Sequence, residues 1–212
     1  DKATVTKDSA EYTESFGKAT FTKAGTYQWT VSETHKGETI DGVAYDNENR
    51  TVTITVVDDG EGHLVAAEGS ALVQTAEFTN TYDTSGKATL QVKKALGEGD
   101  TWPEGKSAVF TLTAVTEGAP MPGEGGDTVT LTEAGAKEFG EITYPKNSAG
   151  KTYEYKISED ETFGPGWTKS KDIKATVVVG ADDGSGELKT TVTYDPEDFT
   201  VTNDYSTKGE GE

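Results

Sequence analysis

The chain repeats itself, and this restricts its fold more than any other feature of the sequence. The stretch "FGKATF…GTYQWTVSE" (Phe16–Glu33) matches "FGEITY…KTYEYKISE" (Phe139–Glu159). Further on, "DDGEGHL" (Asp58–Leu64) matches "DDGSGEL" (Asp182–Leu188), and "FTNTY" (Phe78–Tyr82) matches "VTNDY" (Val201–Tyr205). The matched Glu and Asn lie 47 residues apart in the first copy (80 − 33) and 44 in the second (203 − 159). Matched order and spacing point to two related units in tandem. The copies differ at their starts. The second has two strand-like stretches ahead of the shared block, "ATLQVKKAL" (Ala88–Leu96) and "SAVFTLTAV" (Ser107–Val115), and the first has neither.

Alternation with a period of two dominates, and helical periodicity is nearly absent. The strands predicted are Thr26–Glu33, Thr51–Asp58, Ser107–Val115, Thr152–Glu159, Ile173–Gly180 and Leu188–Tyr194. Clusters such as "DDGEG", "GEGG" and "DDGSG" separate them as turns, with glycines suited to left-handed backbone. "TEAGAK" at Thr132 reads as a turn as well. The sequence therefore predicts an incomplete first repeat over 1–83, a polar linker over 84–87, a complete repeat over 88–205 and a tail over 206–212.

Charge narrows the function. Acidic residues outnumber basic ones 38 to 19, for a formal charge of −19, which disfavours nucleic acid and anionic membrane as partners. The absence of cysteine excludes a thiol enzyme and disulfide reinforcement. No run of apolar residues is long enough to span a bilayer. The polar opening "DKATVT" shows no signal-peptide pattern and reads as a mature segment or a piece of something longer.

Strand parity then exposes a chemical anomaly. Leu90, Val92, Lys94 and Leu96 fall on one face of a strand, and Lys93 points the other way. Tyr153, Tyr155, Ile157 and Glu159 share a face, as do Phe199, Val201, Asn203 and Tyr205. The second copy thus sets Lys94, Glu159 and Asn203 on core-facing rows. In the first copy Tyr27, Trp29, Val31 and Glu33 share a face, and so do Phe78, Asn80 and Tyr82. Burying a charge is costly unless it is paired or neutralised. A desolvated lysine loses its proton more readily and a desolvated carboxylic acid holds its own. Neutral Lys94 is then a nucleophile toward the Asn203 amide, with protonated Glu159 polarising the carbonyl and moving protons. The alternative from parity alone is a buried salt bridge beside a hydrogen-bonded amide.

"LQVKKAL", "TYEYKISE" and "FTVTNDY", together with "GVAYDNENRTVTITVVDDGEGHL" in the first copy, resemble the streptococcal-type pilin isopeptide-linkage repeat, the FctA-like major-pilin domain. The resemblance runs over Ala3–Tyr205. It implies tandem immunoglobulin-like (CnaB-like) β-sandwiches, all-β, with the first lacking its opening strands. It implies a self-formed Lys94–Asn203 isopeptide bond assisted by Glu159. In the first copy only Glu33 and Asn80 match, a half-site without its lysine. Lys2 and Lys7 fall too late in the alignment to supply it, so no bond is expected within residues 1–83. A sandwich without its opening strands also offers an edge to a strand donated in trans.

These readings make the chain a structural stalk or shaft module of a Gram-positive pilus or adhesin. It would be extracellular and anchored to the cell wall, with neighbouring repeats of the same polypeptide as partners and no cofactor. The alternative is an adhesive module for a host protein or glycan. No enzyme is expected beyond one autocatalytic turnover. No metal site is expected either, because His35 and His63 lie in or beside loops without evident further ligands, and the "DDG" turns lack EF-hand spacing. Trp102 and Trp167 read as packing over the end of the second sandwich rather than as a sugar platform.

Overall fold

The computed structural model describes residues 1–6 and 8–207. Lys7 and the last five residues of the expected tail lie outside them. In chain order the strands are β1 (Gly25–Val31), β2 (Thr39–Ile40), β3 (Val43–Ala44), β4 (Arg50–Asp58), β5 (Leu64–Ala66), β6 (Thr81–Tyr82), β7 (Ser85–Ala88), β8 (Gln91–Leu96) and β9 (Ala108–Ala114). They continue with β10 (Thr128–Leu131), β11 (Gly135–Glu138), β12 (Ile142–Pro145), β13 (Thr152–Glu159), β14 (Trp167–Lys169), β15 (Ile173–Val179), β16 (Thr190–Asp195) and β17 (Thr200–Tyr205). Only two single 3-10 turns interrupt this pattern among the described residues, at Ala10–Tyr12 and Lys146–Ser148. The chain is all-β.

Two compact units form. Among the described residues, one holds 1–6, 8–38 and 45–79, and the other holds 39–44 and 80–207. This division differs from the boundary at 83 read from the repeat. The reason is local pairing: β3 joins both β2 and β6, and the Asp83 N–H donates to the Gly42 carbonyl at 2.9 Å. The stretch read as a linker, 84–87, is mostly strand, because Ser85–Ala88 pairs antiparallel with β12. Likewise "TEAGAK" bends at its start but enters β11, which pairs with β8.

The first unit contains one three-stranded sheet, β1-β4-β5. Its parity is only half satisfied. Ile54 and Val56 on β4 are buried, yet Trp29 on β1 is 39% exposed. Phe21, Tyr27 and Trp29 instead cluster with ring centroids 5.0 to 6.2 Å apart. A single sheet has no facing layer of its own to cover such a row.

The second unit is built in layers. A five-stranded sheet, β10-β9-β13-β15-β16, and a four-stranded sheet, β11-β8-β17-β14, contribute to one core. Val92 comes from the second layer and Leu90 from the residue just before β8; Phe110, Leu112, Tyr155, Ile157, Ala175 and Val177 come from the first. All are essentially inaccessible, as period-2 patterning demands. Inside, the Tyr144 and Tyr155 hydroxyls lie 3.0 Å apart and Tyr155 donates to the Pro120 carbonyl, so these buried phenols are satisfied. Strand β8, near the start of the repeat, runs parallel to β17, its last strand, with Lys94 opposite Val201 and Leu96 opposite Asn203.

The two "DDG" turns fold alike. Asp58 and Asp182 each accept the N–H two residues on, and Gly60 and Gly184 take the left-handed backbone expected of them (φ 82 in both). Gly86 on β7 is needed for a different reason. A Cβ there would sit 2.5 Å from the Leu188 carbonyl oxygen, which is backbone and cannot yield easily. Gly86→Ala should destabilise the second unit by about 1–3 kcal/mol in guanidinium unfolding. Gly123→Ala, where a Cβ meets nothing within 4 Å, should stay within about 0.5 kcal/mol.

Candidate functional site

Three strands of the second unit bring Lys94, Glu159 and Asn203 together. β8 supplies Lys94 and β17 supplies Asn203, side by side in the four-stranded sheet. β13 supplies Glu159 from the opposite layer, as its last residue. Their exposures are 1%, 1% and 0%. The parity argument therefore holds for all three, and Lys93 is exposed. It does not hold for Tyr205, which is 48% exposed where β17 runs out of the core.

The carboxylate lies between its two partners. Glu159 Oε2 is 3.6 Å from Lys94 Nζ, and Oε1 accepts the Asn203 Nδ2–H at 3.0 Å. Lys94 Nζ also lies 3.4 Å from the Val201 carbonyl oxygen, which accepts from it. Two buried oxygens, Glu159 Oε2 and Asn203 Oδ1, have no hydrogen-bond donor. Native cores rarely leave such atoms unmet, and sites that do are often reactive or strained. The sequence reading had protonated Glu159 donating to the Asn203 carbonyl. In the structure the carboxylate instead contacts the amide nitrogen.

Desolvation governs the charges. Burial lowers Lys94 from its ordinary 10.5 to about 8, against the opposing pull of Glu159 and Asp204. Burial likewise raises Glu159, although Lys94, the Asn203 amide and Lys169 all pull it down. Both shifts favour the neutral pair over the ionic one.

Aromatic packing excludes water from this trio. Phe163, buried in the β13–β14 loop, places its ring 5.6 Å from Lys94 Nζ. Trp102 and Trp167 contact Phe163 edge-on, at 4.8 and 5.2 Å between centroids. The two tryptophans thus pack around Phe163, and the ring they enclose caps the lysine. Parity could not have found Phe163, which lies on a loop and follows no alternation. Lys169 was missed for another reason: it is exposed, and only tertiary folding carries its Nζ to the Glu159 main-chain carbonyl, to which it donates.

The first-copy residues differ. Glu33 is partly buried in the first unit and accepts the Asp46 N–H at 3.1 Å. Asn80 is exposed and belongs to the second unit. Neither has the burial of Glu159 and Asn203. The loop around His63 is also richer than its sequence suggested: Asp59, Glu61 and His63 place their ligand atoms within 4.8 Å of one another. All three are exposed, and main-chain N–H groups of Glu61 and His63 already bind the Asp59 carboxylate, holding it below the usual carboxylate range.

A profile for the Spy0128-like isopeptide containing domain matches residues 1–83 and 90–206. The chain belongs to this family. It is a structural, pilin-type family and not a class of enzymes. Among solved structures, the major pilin from Streptococcus pyogenes is 19% identical, with 88% of this chain and 72% of that one covered and a TM-score of 0.25. The T-13 major pilin protein from Streptococcus pyogenes is 23% identical, with 89% and 70% covered and a TM-score of 0.23. No curated protein sequence matches the chain. No helix among the described residues is long and apolar enough to cross a membrane.

The lowered Lys94 makes a signed prediction. A lysine that loses proton affinity on folding penalises the folded state wherever it is protonated. That penalty is complete below about pH 8 and fades as the pH approaches 10.5. Asn203→Ala prevents reaction at the amide and keeps both titrating groups. Compared with Lys94→Met in the same background, it should gain stability between pH 8 and 10.5, measured by guanidinium unfolding at each pH. A constant difference across that window would show that Lys94 is not held low.

Proposed function

We propose that the chain is a structural stalk or shaft module of a Gram-positive pilus or surface adhesin, stiffened by a self-formed Lys94–Asn203 isopeptide bond. One observation carries the reading: in a chain of the isopeptide domain family, a carboxylate bridges a buried lysine and a buried asparagine amide.

The chemistry balances without a cofactor. Lys94 passes a proton to Glu159, and the neutral Nζ attacks Asn203 Cγ. As the C–Nζ bond forms, charge develops on Oδ1. Glu159 takes a second proton from Nζ as it delivers the first to Nδ2, with which it is already in contact. The C–Nδ2 bond breaks and ammonia leaves. The products are a neutral amide and a protonated Glu159, so both charges vanish from the core. Half a turn of the Asn203 amide would set Oδ1 in place of Nδ2 and allow protonated Glu159 to polarise the carbonyl first.

The joined residues lie 109 apart in sequence (203 − 94). By analogy with a disulfide over a ~100-residue loop, closing it restricts the unfolded chain by roughly 4–5 kcal/mol. Because β8 and β17 run side by side, a pull between the ends of the unit would load the bond in shear. Neighbouring repeats, anchorage to the cell wall and a strand added in trans belong to the same reading. β1 supports the last of these: it is an edge strand, paired with β4 alone among the described residues.

Intact mass tests the proposal. The purified chain should be lighter than its sequence by one ammonia. Lys94→Ala, Glu159→Ala and Asn203→Ala should each restore the full mass and lower resistance to heat and protease. A full-mass wild-type chain would sink the bond, and the loss of two ammonias would overturn the expectation that residues 1–83 form none.

A further inference from the structure

The reacting trio has a charged neighbour that the repeat does not reveal. Lys169 ends β14, directly opposite Asn203 in the antiparallel pairing with β17. Its Nζ leaves that sheet and donates to the main-chain carbonyl of Glu159, the last residue of β13 in the other layer. On its own loop, Asp172 Oδ1 lies 3.7 Å from Nζ. One side chain therefore straps the end of the five-stranded sheet to the edge of the four-stranded sheet, next to the reacting atoms. Its side chain is 31% exposed, so its charge meets solvent while its hydrogen bond anchors a buried residue.

Resting on the isopeptide reading, we propose that Lys169 is a positioning residue for the Lys94–Asn203 reaction. Its ammonium fixes the end of β13, and with it the Glu159 carboxylate, and sets a permanent positive charge beside the buried pair. The first effect is geometric. Glu159 sits where β13 leaves the sheet, and strand ends fray unless their main-chain groups are satisfied. Without Lys169 the Glu159 carbonyl loses this donor, and the carboxylate is freer to drift from Lys94 and Asn203. The second effect is electrostatic. A neighbouring cation disfavours the Lys94 ammonium, so the neutral nucleophile forms at lower pH; it also favours the Glu159 carboxylate, and so it does not by itself drive the proton from Lys94 to Glu159. Asp204 opposes it at Lys94, and Asp172 beside the Lys169 ammonium partly offsets it.

The test separates this role from plain structural support. Chains refolded from denaturant after expression as insoluble, unreacted protein are followed by intact mass across pH 6 to 10. Lys169→Met should slow ammonia loss about tenfold at pH 7 and shift the midpoint of the pH–rate profile upward. Lys169→Arg, which keeps the charge and a donor, should restore most of the rate and the midpoint. An unchanged rate, or a slowed rate with an unmoved midpoint, would overturn the proposal, as would failure of Lys169→Arg to rescue. A second measurement does not depend on the bond. In an Asn203→Ala background, NMR titration of 13C-labelled lysine should show Lys94 gaining proton affinity when Lys169 becomes Met and not when it becomes Arg. If the wild-type chain loses no ammonia, the isopeptide reading fails, and this titration still decides whether Lys169 acts on Lys94.

Discussion

The ion pair between Lys94 and Glu159 is the contact on which the second unit turns. It joins the two layers through their interior, at a point where neither group reaches water. Desolvation of two opposite charges costs several kcal/mol apiece before their attraction repays any of it. A pair of aliphatic residues would fill the same volume without that cost. Such a pair survives in a core if it serves something other than packing, and under the proposed function the adjacent Asn203 amide supplies the reason. The surrounding residues follow from this requirement. Phe163 covers the lysine, the two tryptophans pack on Phe163, and the parallel β8–β17 pairing sets the lysine beside the asparagine strand.

Much of this was legible in the sequence because strands report their faces directly. Tyr153, Tyr155, Ile157 and Glu159 alternate with hydrophilic residues, and all four prove buried. The same logic placed Lys94 inward and Lys93 outward. It failed where one sheet face has no opposing layer, so that Trp29 on β1 matches Tyr155 on β13 in pattern but not in burial. It failed again at strand ends, where Tyr205 keeps the parity of Asn203 after the core has stopped.

What could not be read came from loops and pairing across long separations. Phe163 has no periodic neighbours, and nothing local tells a capping ring from an exposed one. The stretch 84–87 looks like a linker because it is small and polar, yet Ser85–Lys87 becomes part of a strand once β12 lies beside it. Pairing of this kind is a property of the partner as much as of the segment. The Asp59–Glu61–His63 cluster was missed because a tight turn folds three residues onto one another, a proximity that spacing along the chain conceals.

The adjacency of β8 and β17 has one more consequence. Every loop of the second repeat between Lys94 and Asn203, including the glycine-rich turn near Gly125 and the Asp182 hairpin, would lie inside the ring that the proposed bond closes. A protease that nicks any one of these loops would then open the ring without dividing the molecule. With that bond formed, the two pieces would stay joined through the side chains, with the opening and closing strands still in register. A surface fibre made of such modules could be cut repeatedly in its loops and remain a single covalent thread.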